Sequence, residues 1–285
     1  VGKTTIAAAL AVAAASRARR VLLCDLDGSG ATAQALGIGD VGYEPTEATQ
    51  GLHVMRMDTA AALHHYLRTF TPMAALGRIR PLGRALDLMG GAAPGVREVL
   101  ALGRLLWAVR TDEYDLVVMD GPATGHVIAY LDAPRSVGTL ASGGLLAGQT
   151  GWMSELLADH TRCGVLAVAL PEEAPAEECC RLIADVSELG SAGLCGAVIN
   201  RVPLGVPLAS DRALLSAIEA RDLELPGASH SALQALARER DSDDAARRWI
   251  EVVAGCARPA PFWSVPVVAE ADVVASLADV LGAEW

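Results

Sequence analysis

Val1-Gly2-Lys3-Thr4-Thr5, followed at once by the glycine- and proline-free run Ile6–Ser16, is the stretch that decides the fold. It matches the end of the pattern G-x-x-x-x-G-K-[ST], in which a glycine-rich loop leads into a helix. The run behind it is rich in Ala and Leu, so a helix starting near Gly2 is expected. The free N–H groups and the positive dipole end at its start suit a phosphate. Lys3 is the one lysine in the sequence; the other basic residues are all Arg. A compact ammonium fits a tight loop of backbone donors where a planar guanidinium does not. On this reading Gly2, Lys3, Thr4 and Thr5 hold the phosphates of ATP, with the Thr4 hydroxyl on Mg²⁺. The strand that feeds such a loop lies upstream of Val1, so one central strand is expected to be missing from these residues.

Apolar runs alternating with helical patterns extend the reading to an α/β architecture, a mostly parallel sheet flanked by helices. Val21–Asp25, Leu52–Met57, Glu113–Asp120, Gly164–Leu170, Leu194–Asn200 and Pro261–Val268 read as strands. Ala176–Leu189 and a closing Ala271–Leu281 read as helices. Runs this short suit strands buried on both faces. Residues 59–110 and 135–160 are too long for simple crossovers and read as a small α-helical subdomain of one P-loop domain over 1–285. Arg78, Arg80 and Arg84 within it read as a solvated face. Asp222–Asp244 reads as a polar loop.

Two strand ends carry carboxylates. Val21–Asp25 runs into Asp27-Gly28-Ser29-Gly30, beside the phosphate loop, where open α/β sheets bind ligands. Asp27 is the candidate to orient or deprotonate the water that attacks a γ-phosphate; Asp25, two residues earlier, is the weaker candidate. Either could instead be an Asp in a glycine-rich turn. Leu116–Asp120 ends a second apolar run in Asp120, which suits Mg²⁺ binding directly or through water. The following Gly121-Pro122-Ala123-Thr124-Gly125-His126 suits a loop that rearranges when the γ-phosphate is lost.

Composition narrows the partners. With 34 acidic against 23 basic side chains the net charge is −11, which disfavours a general nucleic-acid binder. No apolar run is long enough to span a bilayer. The six cysteines show no C-x-x-C pair and read as reduced thiols, and the opening residues do not resemble a secretory signal, so a soluble cytoplasmic protein is expected. Cys179 and Cys180, adjacent in a helix, suit neither a disulfide nor a shared metal.

Further segments carry a family resemblance. VGKTTIAAALA resembles the end of the GKGGVGKTT loop of the ArsA/Get3-type ATPases, the anion-pump and tail-anchored-protein targeting branch of the deviant Walker A NTPases. DGPATGHVIAYLDAP resembles their D-T-A-P-T-G-H segment, Ala169-Leu170-Pro171-Glu172-Glu173 their LPEE turn, and Val198-Ile199-Asn200-Arg201-Val202 their VxNRV strand end. The overall look is closest to the actinobacterial ArsA/Get3-like branch. The resemblance implies a homodimer or paralogous heterodimer with ATP near the interface, and a client protein or membrane partner. It also implies that Asn200 contacts adenine and that Pro266 and Val267 pack on the base. An amide can pair with both N6 and N7 of adenine.

The departures are as informative. The family's first switch reads DPAHS or DPAHN, whereas Asp27-Gly28-Ser29-Gly30-Ala31 keeps only the aspartate, so slow hydrolysis is expected. The zinc-binding C-x-x-C of the eukaryotic targeting dimers is absent, and the cysteines form no obvious arsenite trio. Three readings stand: an Mg-dependent ATPase driving a switch; a weakly hydrolysing, nucleotide-gated partner in a heterodimer; and an amidotransferase-type ligase on the same scaffold, for which no second substrate site is evident.

Overall fold

Alanine and leucine without a helix breaker form α1, Lys3–Ala15, which starts on Gly2 in the left-handed region at φ 84°. A side chain there is disfavoured, so glycine is what lets the chain turn into the helix. The computed structural model of the chain describes residues 2–70, 95–122, 124–140, 145–203, 213, 216–218, 227–268 and 273–284. Arg78, Arg80 and Arg84 lie outside them. The structure divides into two units, one holding Gly2–Val165, Ala184–Cys195 and Glu270–Trp285, the other Leu166–Ile183 and Gly196–Ala269.

In the first unit β1 (Val21–Asp25), β2 (Thr46–Thr49), β3 (Leu52–Arg56) and β4 (Leu116–Asp120) form a sheet in the order β2-β3-β1-β4. β1 pairs in parallel with both neighbours, as the buried apolar runs predict, and β2 adds an antiparallel edge. All five residues of β1 are buried, so the strand is covered on both faces. Leu22, Cys24, Met55 and Met57 share one core with Ala62 and Leu63 of α3 (Thr59–Phe70) and Leu100, Ala101 and Leu105 of α4 (Val96–Arg110). A five-residue helix, α2 (Ala31–Ala35), follows β1. Helices α5 (Thr124–Leu140) and α6 (Leu145–Ala158) pack on each other, and α4 packs on both. Together with α3 they are the helices among the described residues of 59–110 and 135–160; residues 71–94 and 141–144 of those passages lie outside the described residues. The small side chains of α1 also let α9 (Val273–Glu284) approach closely, and Arg17 donates to the Gly282 carbonyl.

A second sheet has the order β5-β6-β7, from β5 (Gly164–Ala169), β6 (Gly193–Val202) and β7 (Phe262–Pro266). Helices α7 (Glu173–Leu189) and α8 (Gly227–Ala257) accompany it.

Two expectations are corrected. Residues 227–244 are not a loop but part of the 31-residue α8. No Gly or Pro interrupts Ala228–Ala254, Ala246, Val253 and Ala257 recur on one buried stripe, and Arg247 Nε donates to Asp243 Oδ2 at 3.1 Å, one turn away. The acidic Asp241-Ser242-Asp243-Asp244 cluster conceals that stripe in the sequence. Nor are all six thiols free: Cys180 and Cys256 form a disulfide, with Cα atoms 5.6 Å apart, while Cys24, Cys163, Cys179 and Cys195 are unpaired. Cys180 points away from its buried neighbour Cys179, toward the end of α8. Seventy-six residues separate the bonded pair, one cysteine on α7 and the other on α8.

Candidate functional site

Two parts of the chain 116 residues apart meet where Thr4 Oγ1 donates a 2.7 Å hydrogen bond to Asp120 Oδ2. Thr4 stands in the first turn of α1, Asp120 at the carboxyl end of β4. Parallel pairing puts Asp25 opposite Asp120, so adjacent strands end in carboxylates beside the helix start. The first N–H groups of α1 have no acceptor within the helix and remain available to an anion.

The two aspartates of the β1 end have separate jobs. Asp25 is buried; Oδ2 accepts from the Gly30 N–H at 2.6 Å, and the Ser29 N–H and hydroxyl both donate to the same carboxylate at 3.3 Å. It thereby folds the turn over itself, with Gly28 and Gly30 both at positive φ. Asp27, at the crest, is left exposed.

Asp120 has its carboxyl pushed above the usual aspartate range. Burial is the main cause, opposed first by the Thr4 hydrogen bond and reinforced by the negative charge of Asp25; Lys3 then lowers it and Asp27 raises it. The charges of Lys3, Asp25, Asp27 and Asp120 thus form one electrostatic cluster around the Thr4 hydroxyl. The donor set suits Mg²⁺. A hydroxyl and a carboxylate are hard oxygen donors, and among the described residues no group of three or more His, Cys, Asp or Glu side chains could hold a metal unaided. Mg²⁺ takes one or two protein oxygens and completes its octahedron from water and phosphate.

Thr5 follows in the same turn of α1. In the Gly121–His126 segment α5 begins at Thr124, while Ala123 and the Thr124 side chain lie outside the described residues. In the other unit, Asn200 is buried at the end of β6, where its Oδ1 accepts from the Arg201 N–H at 2.9 Å. Pro266 pairs with Val202, and the Val267 N–H donates to the Val202 carbonyl at 2.9 Å, across a register shift after Ile199. The three residues implied for the base therefore gather at one end of the β6–β7 pair, and Val267 leaves 43% of its surface exposed.

No helix among the described residues is long and apolar enough to cross a membrane. Comparison with known proteins adds three findings. Residues 1–142 match the family model described as anion-transporting ATPase. The chain is 31% identical over 212 residues to the ATPase BagA of Mycobacterium tuberculosis, a match covering 70% of this chain and 62% of that one. It is also 29% identical over 210 residues to a Halobacterium salinarum protein provisionally named an arsenical pump-driving ATPase, covering 66% of this chain and 32% of that protein. The chain thus spans less than two thirds of the length of these curated relatives.

Proposed function

This chain belongs, over residues 1–142, to the anion-transporting ATPase family, and from that premise we propose that the protein hydrolyses Mg·ATP to ADP and phosphate. The observation that carries the proposal is the Thr4–Asp120 hydrogen bond, which joins the phosphate-loop helix to the carboxylate-tipped strand. In this reading the N–H groups of Lys3, Thr4 and Thr5 cradle phosphate oxygens, and the Lys3 ammonium draws charge from the β- and γ-phosphates. Thr4 and Asp120 would hold Mg²⁺, which supplies charge neutralisation on the transferring phosphoryl group. Asp27, exposed on a turn fixed by Asp25, orients the attacking water or takes its proton. The water oxygen bonds to the γ-phosphorus as the bond to the ADP oxygen breaks. Little covalent help is needed, so positioning and charge dominate.

Loss of the γ-phosphate then resets the Asp27 and Thr124 loops and the helices attached to them, with residues 1–285 acting as one P-loop domain. Asn200, Pro266 and Val267 receive the adenine: an amide for the base edge, and an exposed apolar side chain for its face. A homodimer or paralogous heterodimer is the working assembly, with a client protein or membrane partner rather than a nucleic acid as the object of the switch. The cytoplasm is the proposed compartment; the four free thiols suit it, and there the Cys180–Cys256 bond meets reducing conditions. Asp27-Gly28-Ser29-Gly30-Ala31 favours a second reading, a weakly hydrolysing partner that binds ATP and holds it.

Phosphate release by the full chain with Mg·ATP tests the proposal. Turnover that falls by about 100-fold in Lys3→Ala supports it, on the usual cost of losing one charge-stabilising group. Equal turnover in both proteins overturns it. ATP that dimerises the chain and stays intact for hours selects the second reading.

A further inference from the structure

Three residues other than glycine have positive φ among the described residues: Ala18, Asp112 and Arg201. Ala18 and Asp112 close the turns that follow α1 and α4, where their N–H groups donate to the Ala15 and Val109 carbonyls. Such a residue is an ordinary way to end a helix. Arg201, at φ 57°, stands instead inside β6, one residue from its end. A residue with a side chain is disfavoured in this region, and the Arg201 side chain is exposed, so its own packing does not offset the cost. The ladder shows what the turn does. From Ile199 to Val202 β6 advances three residues while β7 advances two, from Ser264 to Pro266, so the extra residue makes a β-bulge. The bulge leaves the Arg201 N–H to the buried Asn200 side chain, whose Oδ1 accepts it at 2.9 Å. Beyond it pairing resumes, with the Val267 N–H on the Val202 carbonyl.

We propose that Arg201 is a positioning residue for the base: its left-handed turn holds the Asn200 amide in one orientation, and that orientation makes the site prefer adenine to guanine. The inference rests on the proposed adenine contact of Asn200 and adds what sets its selectivity. The Arg201 N–H is a donor, so the amide keeps its oxygen toward the main chain; turned over, it would bring its own NH2 against that donor. An amide oxygen has two lone pairs, so the bond to Arg201 does not exclude a base. Held this way, the amide meets a base edge with an acceptor and a donor in fixed order. Adenine offers the complement, the N6 donor beside the N7 acceptor. Guanine offers two acceptors, O6 and N7, and sets O6 against the amide oxygen. An amide able to turn over would give its NH2 to O6 and accept guanine more readily. Backbone strain of this kind persists where the surrounding structure fixes it, as it does at ligand clamps.

The test is titration of the full chain with Mg·ATP and, in parallel, with Mg·GTP, for the parent and for variants at Arg201. General destabilisation weakens both nucleotides alike, so the ratio of the two affinities reports the lock itself. The parent is expected to prefer ATP. Arg201→Gly keeps the N–H and adopts positive φ without strain, so it keeps the parental ratio within about twofold. Arg201→Val resists the left-handed region because it is β-branched, and the ratio falls by about tenfold or more, the discrimination that a bidentate base contact supplies. Arg201→Ala serves if the valine variant does not fold, and lowers the ratio by severalfold. A parental ratio in the strained variant that folds overturns the proposal, and so does an equal loss in Arg201→Gly, which assigns the effect to the side chain. A parent that binds ATP and GTP alike overturns the lock and leaves the nucleotide site standing. A parent that binds neither overturns the proposed function, and the lock with it.

Discussion

Asp120 carries a cost that its own fold does not recover. Burial raises its carboxyl above the ordinary value, so the ionised form is less favourable in the folded chain than in the unfolded one. The sign follows: below the unfolded pKa, near 4, both states are protonated and the cost is absent, and it grows as pH rises through the raised folded value. Asp120→Asn is therefore expected to melt higher than the parent at pH 7 without nucleotide, the gap closing as pH falls toward 4. The same variant should lose the stabilisation by Mg·ATP; a parent that melts higher at both pH values speaks against this account. Asp25 is the opposite kind of carboxylate, spent on the Ser29 and Gly30 donors. Asp25→Ala strands those donors and should cost about 1–3 kcal/mol in urea unfolding. The residue types at these positions were legible, because aspartates that end apolar runs beside a glycine-rich loop have few other uses. Which of Asp25 and Asp27 faces solvent was not, since that depends on how the turn closes.

At the scale of elements, legibility followed burial. β1 reads easily because every residue in it is apolar up to the terminal aspartate and all are covered. β2, Thr-Glu-Ala-Thr on an edge and largely exposed, carries no apolar alternation to announce it. α8 hid behind its acidic cluster, while its Ala246–Val253–Ala257 stripe, seven and four residues apart, was there to be found. The turn from β2 into β3 depends on Gly51, where φ is 80° and an added Cβ would come within 2.9 Å of the Arg19 carbonyl. Gly51→Ala is expected to destabilise by about 1–3 kcal/mol, the range for a side chain forced into a sparsely populated backbone region. Thermal melts of the variant that match the parent would contradict this.

For the molecule as a whole, the family was written into local segments, whereas the cross-links between segments were not. The Cys180–Cys256 bond joins two helices across 76 residues of chain, which no spacing rule reveals. Cys256→Ser is expected to lower stability by roughly 2–4 kcal/mol in non-reducing urea titrations. In a reducing buffer the two proteins should unfold together, and a difference that persists there assigns the effect to packing instead. Light scattering on the proposed dimer should show the mass doubling when Mg·ATP is added.

In the proposed function, α1 and the β4 end build a magnesium-dependent site for a triphosphate. Calorimetric titration of the full chain with ATP, with and without Mg²⁺, beside Lys3→Ala, tests it most directly. The expected result is binding that requires Mg²⁺ and is lost in Lys3→Ala; equal binding by both proteins, or binding indifferent to Mg²⁺, overturns the proposed site.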